Sequence, residues 1–268
     1  MTARQRELYP IVGVIHLPPL PGSARGGSAR RFGAILDAAR RDADAWASGG
    51  AAALIVENFG DVPFARDAVG PHVVAAMTVV VDALRRDVGL PIGVNVLRND
   101  VLAAVSIAAL AGGSFVRANV YVGAALTDQG MIEGRAHVVQ ALIRRLDAPL
   151  SVWADVDVKH AAQVAPRPLG DLAEDAVERG LAGALIVSGR ATGQPVALDD
   201  LRQARRSAPT TPLYVGSGAT VERMPDLLAI ADGAIVGTAG KVDGIIANPV
   251  DRERVRALVG ASRAARSE

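Results

Sequence analysis

Eight short aliphatic runs punctuate the chain, at 11–16, 52–57, 91–96, 114–120, 149–156, 183–189, 212–216 and 233–237. Their length and their bounding Gly and Pro residues predict buried strands. Between them lie segments with apolar positions at helical spacing, about 31–48, 72–88, 100–111, 133–146, 168–180, 198–207, 220–230 and 249–265. Gly closes helices at Gly112, Gly113 and Gly180, and Pro opens strands at Pro91, Pro149 and Pro212. Strands that alternate with helices imply right-handed crossovers and a parallel sheet. Eight such units predict an α/β fold, a single (β/α)8 TIM barrel over residues 1–268, with 1–9 and 262–268 as terminal tails. An open doubly wound sheet would carry a Gly-rich turn running straight into a helix after the first strand. The segment "HLPPLPGSARGG" is too rich in Pro for that.

Alternation within the runs adds a second prediction. In "SVWADVDVKH", Val152, Ala154, Val156 and Val158 share one face, and Trp153, Asp155, Asp157 and Lys159 share the other. Arg117 and Asn119 alternate with Val116, Ala118 and Val120. Asn95 falls between Val94 and Val96, Glu57 follows Val56, and His16 ends the first run. If the aliphatic face packs under the helices, these polar groups meet at the mouth of the barrel. Lys159 would then serve as proton donor, Schiff-base amine or phosphate contact. Carboxylate neighbours hold a lysine charged, which favours acid or electrostatic work. Asp155 and Asp157 could pair with it, act as a base, or bind a hard divalent cation with Glu57, and no other cofactor is expected.

The loops supply the rest of the expected site. "VGSGAT" and "VGTAGK" follow the seventh and eighth runs with small residues, Gly216, Ser217, Gly218, then Gly237, Thr238, Ala239. Backbone free of bulky side chains lets an anion approach N–H groups, and a following helix would add its dipole. A phosphate is therefore expected between these loops, where this barrel class holds one. Ser188 and Thr192 in "VSGRATG", Asn58 in "ENFGD" and Arg98 in "LRND" are the expected substrate contacts. "HLPPLPGS" reads as a stiff lid, and Asp100 as a helix N-cap.

Composition narrows the partners. Net charge is +1 and aromatics make up 3%, which argues against a nucleic-acid surface. The absence of Cys excludes disulfides and thiol catalysis. No apolar run reaches the length of a transmembrane helix, and "MTARQRELYP" has no apolar signal region. A cytoplasmic protein is expected, a homo-oligomer whose other partner is a small phosphorylated substrate.

The motifs also converge on a family. In order, "GVIHLPPLPGS", "IVENFGDVPF", "GVNVLRND", "FVRANVYVGAALTDQG", "DVDVKHA", "VSGRATG", "VGSGAT" and "DGAIVGTAGKVDG" resemble the BtpA/SgcQ family. The resemblance implies a TIM barrel of the ribulose-phosphate-binding type and supports sugar-phosphate chemistry. The family name reflects a role ascribed to one branch in photosystem I biogenesis, and another branch sits in sugar-utilisation settings. Members often carry Asn in the helix after "GSG", whereas this chain has Met224 in "VERMPDLL". Two functions follow. One is an enzyme performing isomerisation, epimerisation or aldol-type cleavage on a phosphorylated sugar. The other is a non-catalytic assembly factor for a membrane complex, with a dispensable mouth and an exposed apolar patch.

Overall fold

Parallel pairing closes the eight aliphatic runs into one ring. The computed structural model describes residues 9–158, 161–189 and 195–266. The first half runs β1 (Ile11–His16), α1 (Phe32–Gly49), β2 (Ala53–Glu57), α2 (Pro71–Val88), β3 (Ile92–Asn95), α3 (Val101–Ala111) and β4 (Phe115–Ala118). Next come β5 (Ala124–Thr127), β6 (Gly130–Glu133), α4 (Ala136–Arg145), β7 (Ser151–Val156) and β8 (Ala161–Gln163). The chain finishes with α5 (Leu169–Glu174), β9 (Ala184–Val187), α6 (Leu198–Ser207), β10 (Leu213–Val215), α7 (Met224–Leu228), β11 (Gly233–Val236) and α8 (Arg252–Ala264). The closed barrel has the order β1-β11-β10-β9-β7-β4-β3-β2. The predicted eight-stranded α/β barrel is thus present. Among the described residues no helix is long and apolar enough to cross a membrane.

The barrel has two cores because each strand has two faces. Outward aliphatic residues such as Leu54, Val56, Val94, Val116, Val152 and Leu185 are buried under the helices. Inward residues form a smaller cluster, Val12, Val14, Ala53, Ile55, Phe115, Trp153, Ala184, Ile186, Tyr214 and Ile235. At its floor Trp153 lies between Phe115 and Tyr214, with ring centroids 3.9 and 4.2 Å away. Tyr9 stacks on Phe115 and Trp153, and its backbone N–H donates to Tyr214 Oη at 3.1 Å. Burial pushes the Tyr214 phenol up to about 12. Tyr9, expected in a free tail, therefore plugs the barrel floor. At the other end α8 continues to Ala264 and buries Ser262.

Several boundaries differ from the sequence pattern. The helix expected over 133–146 is α4, Ala136–Arg145, and Glu133 instead ends a hairpin that precedes it. Strands β5 and β6 pair antiparallel, and β8 adds to β5, giving a separate sheet β6-β5-β8 beside the barrel. The helix expected over 220–230 is only Met224–Leu228, and Met224 is fully buried in the core. The departure from the family pattern at Met224 is thus a packing residue. The segment 17–23 is a wall rather than a lid. Leu17 and Leu20 are buried, Leu20 N–H donates to Asp61 Oδ1 at 2.8 Å, and Gly60 N–H donates to Leu17 O at 3.0 Å.

One buried ion pair ties the end of the barrel to its start. Lys241 Nζ sits 2.5 Å from Asp42 Oδ2 on α1, and Asp42 Oδ1 accepts from Val250 N–H at 2.8 Å. Lys241 is 2% exposed, so its charge has lost its water. Removing one partner of such a pair leaves an uncompensated buried charge, at a cost of about 3–5 kcal/mol. Asp42→Ala is expected to lower unfolding free energy by that amount in urea titrations, and a further Lys241→Met change to restore most of it. A loss below about 1 kcal/mol for Asp42→Ala would contradict a buried, dry pair.

Candidate functional site

The alternation that buries the aromatic floor also sets the upper layer. Two residues above five of the inward core residues stands a polar one, His16 above Val14, Glu57 above Ile55, Arg117 above Phe115, Asp155 above Trp153 and Ser188 above Ile186, while Gly216 and Gly237 stand above Tyr214 and Ile235. Register keeps the first strand ends level, with His16 opposite Glu57 and Glu57 opposite Asn95. All these residues stand at the C-terminal ends of the strands, where barrels of this kind place their sites.

Two hydrogen-bonded groups organise this layer. Arg117 grips Asp155 through both ends of its fork, Nε to Oδ2 at 2.9 Å and a terminal nitrogen to Oδ1 at 2.9 Å. Asn119 Nδ2 donates to the same Oδ2 at 2.9 Å. On the adjoining strands β3 and β2, Asn95 Nδ2 donates to Glu57 Oε2 at 2.6 Å. All five side chains are buried. Burial works against the Arg117 charge, but Asp155, through charge and hydrogen bonds, and then Glu57 outweigh it and raise its pKa. Arg98 is shifted the other way. Its burial lowers the pKa, against the opposing pull of Asp155 and Asp128.

The carboxamide orientations follow from these bonds. With Nδ2 committed to a carboxylate, Asn95 and Asn119 each turn Oδ1 elsewhere, and neither oxygen has a partner among the described residues. The buried Ser188 hydroxyl is in the same condition. Buried acceptors without donors are uncommon in folded proteins.

A cavity of about 490 Å³ opens over this layer. Its wall includes His16, Glu57, Arg98, Arg117 and Asn119 from the predicted set, together with the backbone of Gly216–Thr220 and Gly237–Ala239. Asn95 and Asp155 stand behind that wall, bonded to Glu57 and Arg117. Glycine at 216 and 237 has a reason beyond anion access. A Cβ at Gly216 would lie 2.2 Å from Ser188 Oγ, and one at Gly237 would lie 2.6 Å from the His16 ring. Gly218 has φ +69°, where a side chain is strained. Ser217 Oγ accepts from Gly189 N–H at 2.8 Å, which ties the loops after β9 and β10 together. No long helix follows directly from either loop. Two 3-10 turns, Thr238–Gly240 and Val242–Gly244, follow the second directly and the five-residue α7 follows the first, so helix dipoles add little.

Some expectations need correction, and two concern residues outside the described ones. Strand β7 ends at Val156, and Asp157 takes a left-handed φ of 56°, which breaks the assumed alternation. Asp157 is exposed and accepts from Gln163 of β8 at 3.2 Å rather than joining Asp155 at the axis. Asn58 is not a cavity residue. It accepts from Leu97 N–H at 2.7 Å and donates to Asp61 at 3.1 Å, stitching the loops after β2 and β3. Lys159 and Thr192 lie outside the described residues. Among the described residues no three His, Asp or Glu side chains converge to hold a metal ion, so Asp155, Asp157 and Glu57 do not form the cation site considered above. Asp100 is the N-cap expected, accepting from Ala103 N–H at 3.0 Å.

The cavity also contains residues that the sequence did not signal. Phe59 and Phe64 line it from the β2 loop, and the Phe59 ring centroid is 4.7 Å from that of His16. Arg254 reaches it from α8. Neither strand alternation nor loop composition marks these positions, because each arrives from outside the strand ends.

Comparison with known proteins places this architecture. The barrel resembles thiamine phosphate pyrophosphorylase from Pyrococcus furiosus with a TM-score of 0.59 over 96% of both chains, at 14% identity, a likeness of fold alone. In sequence, an uncharacterized protein of Thermococcus kodakarensis is 48% identical across 94% of this chain and 95% of its own. The photosystem I biogenesis protein BtpA of Synechocystis is 44% identical across 94% of this chain and 87% of its own. The model of the BtpA family matches residues 7–264, and with these relatives it establishes that the chain belongs to the BtpA family.

Proposed function

We propose that the barrel mouth binds a small phosphorylated sugar or related metabolite and performs acid–base chemistry on it, of isomerase, epimerase or aldol-cleavage type. The observation that carries this reading is the joining of two unlike surfaces in one cavity: small-residue loops after β10 and β11, and a buried layer of charged and amide side chains. A phosphate suits the first surface. The N–H groups of Gly218 and Gly237–Ala239 are its proposed donors, since no bulky side chain shields them. A polyhydroxylated carbon chain suits the second. Hydroxyl groups donate, and Asn119 Oδ1 on the cavity wall is a buried acceptor with no donor among the described residues, while Asn95 Oδ1 and Ser188 Oγ, likewise without donors there, stand in the layer behind the wall.

Glu57 is the proposed proton-transfer residue, because it faces the cavity and is oriented by Asn95. Arg117 and Arg98 would stabilise negative charge developing on a substrate oxygen, and Asp155 with Asn119 holds Arg117 in place. Lys159 follows Val158, which lines the cavity, and is proposed as an electrostatic or general-acid residue rather than a Schiff-base amine. His16 packs between Phe59 and Gly237 and is proposed to shape the wall.

A second reading, an assembly factor, draws on one observation. Leu126 and Met131 are cross-strand neighbours on the β6-β5-β8 sheet and are about half exposed, with exposed Val164 just beyond β8. The BtpA relative's name refers to photosystem I biogenesis. Leu126→Glu separates the readings, since it should spare ligand binding and remove only an assembly activity.

Thermal unfolding measured against a panel of pentose and hexose phosphates tests the first reading. A true ligand at about a hundred times its Kd adds about 2.7 kcal/mol to stability. Gly218→Val should keep the circular dichroism of the barrel and weaken that ligand at least about tenfold, despite about 1–2 kcal/mol of local strain. Stabilisation by no phosphorylated sugar, or equal affinity in Gly218→Val, would refute the site.

Lys159→Met should leave binding within a few-fold and slow turnover by about 10²–10³, the usual cost of a lost charge-stabilising contact. Deuterium uptake at carbon from D2O, followed by proton NMR on the stabilising sugar phosphate, gives the readout. Unchanged uptake in Lys159→Met would overturn its proposed role.

A further inference from the structure

Two arginines clamp the small-residue loops, and they are not equivalent. Arg223 spends both terminal nitrogens on backbone, donating to Gly218 O at 3.2 Å and to Val196 O at 2.9 Å. Arg254, in the first turn of α8, donates only through Nε, to Ala239 O at 3.0 Å. Its terminal nitrogens have no carboxylate partner among the described residues, although acids surround it in sequence. Glu253 is taken by Arg256 at 2.7 Å, and Asp251 is turned back as the helix N-cap, accepting from Glu253 N–H at 2.8 Å. The helix start is itself fixed to the loop, since Asp251 N–H donates to Gly240 O at 2.8 Å.

We infer that Arg254 is a specificity-determining residue that contacts the phosphate group directly and selects its doubly charged form. The inference rests on the phosphorylated-ligand reading above. The side chain lines the same cavity as Gly218, Thr238 and Ala239. Anchoring Nε to the Ala239 carbonyl restricts the fork before any ligand arrives, so little rotamer freedom is left to lose on binding. A guanidinium with two unused edge donors matches two phosphate oxygens, and such charge-assisted bonds are about twice as strong as neutral ones. Arg223 then holds the first loop in shape and Arg254 reads the charge over the second. Arg117 cannot take this part, because it is already engaged by Asp155 at the strand ends. An exposed cation at the rim also raises the encounter rate of an anion, an effect that salt screens.

Inorganic phosphate is the probe, titrated into the full chain and followed by calorimetry at low salt, from pH 5 to 8 and at several chloride concentrations. Wild type should bind most tightly above about pH 7, where inorganic phosphate gains its second negative charge, about one unit higher than a phosphate ester does. Arg254→Gln should weaken binding at least about tenfold at pH 7.5, flatten the rise in affinity across about pH 7, and reduce the salt dependence. Arg254→Lys should restore part of all three. A residue that merely shapes the loop would change affinity and leave both dependences as steep as in wild type, and that result would overturn the inference. Wild-type affinity in Arg254→Gln would overturn it too, while the phosphorylated-ligand reading would survive through Gly218→Val. No phosphate binding by wild type would remove both together.

Discussion

Closing eight parallel strands into a ring fixes which side of every strand faces inward, and the rest of this protein follows from that constraint. With side chains alternating along each strand, an inward residue at one level forces the next inward residue to lie two positions on. The lower level is filled by Phe115, Trp153, Tyr214 and the plugging ring of Tyr9. The level above must then be built from Glu57, Asn95, Arg117, Asp155 and Ser188, because those are the residues two positions further along or at matching register. A chain with 3% aromatic residues commits four of them to one end of the barrel, and the other end is left polar.

That polar layer is not a natural choice for stability. Burying Arg117 against Asp155 removes two charges from water, and well-packed apolar side chains of the same volume would serve the fold as well or better. The bidentate geometry, with Asn119 filling a further acceptor site, recovers much of the desolvation cost without giving the fold anything it lacks. What the layer does supply is orientation. Carboxylates hold the amide groups of Asn95 and Asn119, so their oxygens are set before a ligand arrives, which is the condition under which fixed dipoles act most strongly. The Lys241–Asp42 pair plays a similar part from outside, pinning the turn after β11 to α1.

Strand alternation made the barrel and most of the mouth legible in the sequence. It worked wherever a strand was long and had one aliphatic face, as in β1, β2 and β7. It failed at the end of β7, where the left-handed backbone of Asp157 ends the period of two without any glycine to announce it. It was also silent on the β6-β5-β8 sheet, whose strands of three or four residues are too short to show a pattern. The small-residue loops were visible, but part of their cause was not. Gly216 and Gly237 make room for Ser188 and His16, neighbours on adjacent strands that no local reading brings together. Asn58 and Arg254 exchange roles for the same reason: a polar residue next to a strand end turned into the loop packing, and one on a remote helix turned toward the cavity.

The central claim is that the strand-end layer and the two small-residue loops form one site for one ligand. Backbone and side-chain amide NMR spectra of labelled protein, recorded while a pentose phosphate is added, test this most directly. The account expects the amides of Gly216–Ala219 and Gly237–Ala239 and the side-chain NH2 groups of Asn95 and Asn119 to shift together along one binding curve. Shifts in the loops without any at the asparagines, or shifts confined to the β6-β5-β8 sheet, would contradict it.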